Sequence, residues 1–127
     1  MGNFLFIGLG GFFGAILRYA VSDFVQNWTK VSHFPFGTLV VNLLGCLLIG
    51  ALAQLGESRN IFSPEASSLI FLGFLGAFTT FSTFSSESLN LMRNGQNLLS
   101  YLNIGASVVL GLVAVWLGRT FTAFFTN

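Results

Sequence analysis

Charge is what this chain has least of. Five Lys and Arg and four Asp and Glu make up 7% of its 127 residues, against roughly a quarter in an average soluble domain. A chain of this size has much surface for its volume, and so few charges cannot coat a water-facing exterior. Neither sign forms a run and the net charge is +1, which excludes nucleic-acid binding built on clustered cations. The single cysteine, Cys46, excludes an intrachain disulfide and a cysteine-based zinc cluster. Proline is nearly as scarce, with Pro35 and Pro64 the two examples. Apolar residues fill the space: 54% of the chain is hydrophobic, Phe alone supplies 16 residues, and the mean hydropathy is +0.80. The composition is that of an integral, multi-pass membrane protein.

Charge-free windows locate the spans, since about 20 apolar residues cross the hydrocarbon core as a helix. The first runs from about Asn3 to Val21, with Arg18 near its end. The second opens at Phe36-Gly37, just past Pro35, and reaches about Leu55. Ser63-Pro64-Glu65 reads as a helix start: a hydroxyl N-cap, proline in the first turn, then a carboxylate. It opens a third span, uncharged from Ala66 to Ser86. After the polar turn Arg93-Asn94-Gly95-Gln96-Asn97, a fourth covers about Leu98 to Gly118. The expected fold is all-α, four transmembrane helices in one domain over residues 1–127. The first span lacks a basic leader and a small-residue cleavage site, so it is expected to be retained.

Lys and Arg in short loops normally set orientation. Arg59 and Arg119 fall on one side of the membrane, Lys30 and Arg93 on the other, with Arg18 close to that second boundary. So even a split leaves two arrangements open: one orientation set by a weak signal, or dual topology with antiparallel pairing.

Polar residues inside the spans mark faces. Gly10, Gly14 and Arg18 repeat every four residues, a spacing that suits close helix packing and puts the cation on the glycine face. Thr38 and Asn42 share a face of the second span; Asn103, Ser107 and Gly111 form a stripe on the fourth. An intramembrane amide needs partners, which another helix or a wet path can supply. The third span carries six hydroxyls in eight residues, Thr79-Thr80-Phe81-Ser82-Thr83-Phe84-Ser85-Ser86, just after Gly73 and Gly76. Glycine lowers helix propensity and threonine hydroxyls compete for backbone partners, so a helix break is predicted near Gly76 to Thr80. Carbonyls freed there need a donor or a small cation such as Na⁺, with no carboxylate nearby. Hydroxyls, amides and the positive edges of Phe81 and Phe84 offer an anion donors without a trapping charge.

These motifs resemble a known family. Gly-Ala-x-x-Arg-Tyr at 14–19, Gly-Thr-x-x-x-Asn at 37–42 and Gly-x-x-Thr-Thr-Phe-Ser-Thr-Phe-Ser at 76–85 are similar to those of the Fluc (CrcB) fluoride channels. The resemblance covers essentially the whole chain. It implies a passive exporter of fluoride in a prokaryotic plasma membrane: an antiparallel, dual-topology homodimer with two pores and a central structural Na⁺. By motif position the Gly76 and Thr79 carbonyls would hold Na⁺. Phe81, Phe84 and Asn42 would line the pore with the Ser82 and Thr83 hydroxyls. Thr38 would lie toward the vestibule and Arg18 near its mouth. Glu87 matches an acidic residue near the end of the third helix. In the fourth span Asn103 stands where some members carry Tyr, Ser107 matches a hydroxyl, and Gly111 replaces one.

A four-span drug/proton antiporter is the alternative, but it needs a titratable group deep in the membrane, and Glu87, at the end of the third span, is the one candidate. A non-transporting scaffold would have no use for the hydroxyl–phenylalanine run. Catalysis has no support: His33 is lone, Cys46 sits among Leu and Gly, and no nucleophile–base pair or phosphate loop is present.

Overall fold

The computed structural model describes residues 2–126, all of them in helices and their short connections. Helix α1 is Gly2–Thr29 and α2 is Phe36–Arg59. The third span comes in two parts, α3 at 64–78 and α4 at Phe81–Arg93, and α5 is Asn97–Thr126. Four helical stretches are thus long and apolar enough to cross a membrane. At 1.5 Å per residue the 28 residues of α1 and 30 of α5 extend about 40–45 Å, well past a hydrocarbon core of about 30 Å. Their ends therefore reach the headgroup region.

The expected start of the third span is present: Ser63 is the N-cap, its Oγ accepting from the Ala66 N–H at 3.2 Å, with Pro64 opening the helix. What the sequence did not signal is the form of α3. After Pro64–Ser67 the backbone widens into a π-helix over Ser68–Leu75 before narrowing at Gly76–Phe78. π turns in α-helices are rare. Here the wide stretch lies flush on α1: a Cβ at Gly10 would overlap the Leu69 carbonyl, and one at Gly14 the Phe74 carbonyl. The Gly-x-x-x-Gly face thus brings two backbones into contact, as small residues do between membrane helices.

Helices α1 and α3 run parallel, as do α2 and α5. Along the second pair Cys46 approaches Gly111, Gly50 meets Val115 and Gly118 meets the turn from Leu47 to Ala51, so the two helices advance together. At that end Arg119 forms a bidentate ion pair with Glu57, at 2.7 and 2.9 Å, and also donates to Gln54.

The interior is small and as polar as it is apolar. Leu39, Val41, Leu75, Phe78 and Leu91 are buried, but so are Thr38, Ser68, Ser88, Ser100 and Asn103. Phe4, Phe12, Phe13, Trp116, Phe121 and Phe124 stand exposed around the outside. Hydrophobic burial from water cannot stabilise such a molecule; lipid covers the outer rings, and packing and internal hydrogen bonds hold the helices.

Candidate functional site

The third span breaks where its glycines and paired threonines predict. Thr79 (φ −86°, ψ 157°) and Thr80 (φ −151°, ψ 119°) are extended, and α4 restarts at Phe81. The hydroxyl run supplies its own local replacement for the lost helical bonds. Thr80 Oγ1 caps α4 by accepting from the Thr83 N–H at 3.3 Å and donates to Thr83 Oγ1 at 3.1 Å. Thr79 Oγ1 donates back to the Leu75 carbonyl at 2.9 Å.

Across the break lies α2. The Asn42 side chain pairs with both backbone groups of Thr80: its Nδ2 donates to the Thr80 carbonyl at 3.0 Å, and its Oδ1 accepts from the Thr80 N–H at 2.8 Å. An amide used this way mimics a neighbouring strand and satisfies extended backbone that no helix serves. One turn further along α2, a Cβ at Gly45 would overlap the Thr79 methyl, so only glycine lets the break sit this close.

The break strips the helical donors from the carbonyls of residues 76 to 79, and those of Gly76 and Thr79 are two of the four. In a continuous helix Gly76 O would accept from the Thr80 N–H and Thr79 O from the Thr83 N–H. Those two N–H groups bond Asn42 Oδ1 and Thr80 Oγ1 instead. Gly76 and Thr79 thus carry carbonyls stripped of their helical donors, on an exposed and a half-buried residue respectively. Among the described residues no group of three or more His, Cys, Asp or Glu gathers anywhere. A cation at the break would therefore meet neutral carbonyl oxygens, a donor set that suits a hard monovalent ion.

Beside the break a cleft of about 380 Å³ is lined by Asn42, Gly45, Gly76, Thr79, Thr80, Phe81, Phe84 and Ser107. The Phe81 and Phe84 rings are tilted at 52° with centroids 5.5 Å apart, and Phe81 is 79% exposed on the open side. Ser107 Oγ, from α5, is buried with no hydrogen-bond partner. Toward the other end of the bundle a second cavity of about 380 Å³ joins Arg18, Tyr19, Asp23, Thr38 and Thr83. A third, of about 590 Å³, is lined by His33, Thr38, Glu87, Asn90, Asn94 and Gln96. Thr38 belongs to both and donates to Glu87 Oε1 at 2.7 Å, while Glu87 Oε2 is buried and unpartnered.

The structure thus brings Asn42, Phe81, Phe84 and Ser107 together around the Thr79–Thr80 break, and Arg18, Thr38 and Thr83 in the adjoining cavity. Ser82 is exposed, its hydroxyl 3.4 Å from Thr80 Oγ1. Asn103 stands apart, buried between α4 and α5, where its Nδ2 donates to Ser88 Oγ at 3.0 Å; Ser100 completes that seam by donating to the Ser88 carbonyl. Ser22 and Gln26, which line both upper cavities, were not singled out in the sequence. The signal was there: Gly10, Gly14, Arg18, Ser22 and Gln26 continue one four-residue spacing along α1.

The CrcB family model, described as "CrcB-like protein, Camphor Resistance (CrcB)", matches residues 5–119, nearly the whole chain and every part of the break and its cleft. The chain belongs to the CrcB family. Among its relatives, the fluoride-specific ion channel FluC 1 of Methanosarcina acetivorans is 45% identical over 94% of this chain and 89% of its own length. Fluoride-specific ion channels FluC of Shewanella loihica and Shewanella sp. (strain ANA-3) are 46% and 48% identical, each over 94% of both chains. With four apolar helices and this membership, the chain is a multi-pass integral membrane protein.

Proposed function

We propose that this CrcB-family chain is a fluoride-selective channel that lets the ion leave the cell passively down its gradient. The observation that carries the reading is the cleft at the break, where an amide, hydroxyls and two phenylalanine rings converge without a fixed cation. The names of the relatives, matched over almost their full length, supply the ion. A strongly hydrated anion must exchange water for donors that hold it loosely enough to release it. Hydroxyls, one remaining Asn42 N–H and ring edges do so; a buried Arg or Lys would hold it. Thr38 and Thr83 continue the row toward the cavity where Arg18 raises the local anion concentration.

The pathway is completed by a second copy in the opposite orientation, giving two pores per dimer. Support comes from the open side of the cleft, where Phe81 stands exposed beside the polar Ser82 and Thr83, and from the even split of Lys and Arg. Lipid would not solvate such a polar face. A structural Na⁺ sits at the dimer centre on the Gly76 and Thr79 carbonyls of both copies; the loss of their helical donors supports that assignment. Purified protein in vesicles loaded with potassium fluoride, with Na⁺ present, tests the channel. Rapid fluoride efflux on an ion-selective electrode, with chloride held back, is the expected result. Equal chloride and fluoride efflux, or none, would overturn it.

A further inference from the structure

Near the end of α1 one neutral side chain holds three backbone groups of the segment that follows. The Gln26 amide nitrogen donates to the Val31 carbonyl and, at 3.1 Å, to the Phe34 carbonyl; its oxygen accepts from the Gly37 N–H at 3.1 Å. Gly37 lies in the first turn of α2, a helix whose N-cap position is Pro35 and carries no side-chain cap. First-turn N–H groups have no intrahelical acceptor, so α2 takes one from another helix. Four residues back along α1, Ser22 meets Gly37 so closely that a Cβ there would overlap the Ser22 carbonyl. The start of α2 is therefore seated on α1 at two points.

Everything the proposed pathway takes from α2 follows within two turns. Thr38 is the next residue and bonds Glu87; Asn42 is one turn further and pairs with Thr80. Gln26 also lines both upper cavities, with Ser22 and Thr38, and so stands in the wall between them. We infer that Gln26 is a positioning residue for the anion path, setting the Thr38 hydroxyl and the Asn42 amide by holding the first turn of α2. The inference rests on the fluoride-channel reading. Gln26 acts through the Gly37 N–H and need not touch the ion. Its two donated bonds tie the 30–35 connection, whereas the accepted one sets the register of α2.

The test is fluoride efflux from vesicles carrying Gln26→Met, Thr38→Val and the double variant. Gln26→Met keeps the shape of the side chain and loses all three bonds. Each single change is expected to slow efflux about tenfold, the scale of one or two lost hydrogen bonds. Because Gln26 acts through α2, the double variant is expected to be no slower than the worse single one. Wild-type efflux from Gln26→Met overturns the inference, as does a double variant whose loss is the product of the two. A wild-type protein that moves no fluoride overturns the channel reading instead. If Gln26→Met does not assemble, Gln26→Glu decides, because it keeps the acceptor for Gly37. At about 1 M salt, where the long-range effect of its charge on the anion is screened, it is expected to slow efflux less than Thr38→Val does. A tenfold loss persisting at that salt would overturn the role.

Discussion

At residue scale the centre of this protein is Asn42, whose amide does for Thr80 what a neighbouring strand would do. Replacing it with Leu leaves the Thr80 N–H and carbonyl without partners, and each unpaired buried backbone group costs about 1–3 kcal/mol. Asn42→Leu is therefore expected to lower the thermal midpoint and to slow fluoride efflux by more than tenfold. Asn42→Asp keeps the acceptor for the Thr80 N–H but not the donor, and its thermal midpoint is expected to lie between the two. A Leu variant as stable as wild type would mean that the break holds itself. Asn42 was legible as an intramembrane amide in need of a partner. Its partner was not, because Thr80 is 38 residues away and the pairing exists only once α2 crosses the break. Thr38 and Glu87, 49 residues apart, are the same case.

At the scale of elements, the third span shows how local signals and tertiary contacts divide the work. The break and the cap on α4 are local: two extended residues, a threonine hydroxyl on the N–H three residues on, and glycine just before. Thr80→Val removes that cap and is expected to cost about 1 kcal/mol. It should appear as faster amide exchange at the start of α4 with α5 unaffected. The π-helical stretch depends on a neighbour. Its widened turns lie against the glycine face of α1, and nothing within 68–75 announces them. Gly14→Val drives a side chain into the Phe74 carbonyl and is expected to abolish monodisperse protein on a sizing column. Gly105→Ala meets nothing within 4 Å in mid-helix and is expected to stabilise α5 by up to about 1 kcal/mol. If both glycines tolerated substitution alike, close backbone approach would not be what the first of them provides.

For the whole molecule the open cleft and the balanced charges are the two observations behind the proposed antiparallel pair. A single chain leaves Phe81 and the hydroxyl row facing outward, and neither end of the bundle is clearly the more basic. With Cys46 replaced by Ser and Ser32 by Cys, an impermeant maleimide added from outside is expected to label about half of the copies, the even division that balanced charges predict. The rest should react only after permeabilisation. Labelling of every copy from one side would rule out the antiparallel pair. Replacing Na⁺ by a large organic cation is expected to slow fluoride efflux as the break loses its ion. Unchanged efflux after exhaustive Na⁺ removal would remove the cation from the proposal.

By itself the sequence determined what depends on solvent and on neighbours along the chain: a membrane protein, four spans, the cap at Ser63 and the interruption after Gly76. Hydropathy, helix propensity and capping act over a few residues, so they are written in order. Only the tertiary structure decided what the freed groups at the break do. It paired Asn42 with Thr80, buried Asn103 on Ser88 and gave α2 its cap from Gln26. Each of these joins residues on different helices. Hydrogen bonds are short and directional, so such partners are chosen only when packing has set the helices within about 3 Å of one another's polar atoms.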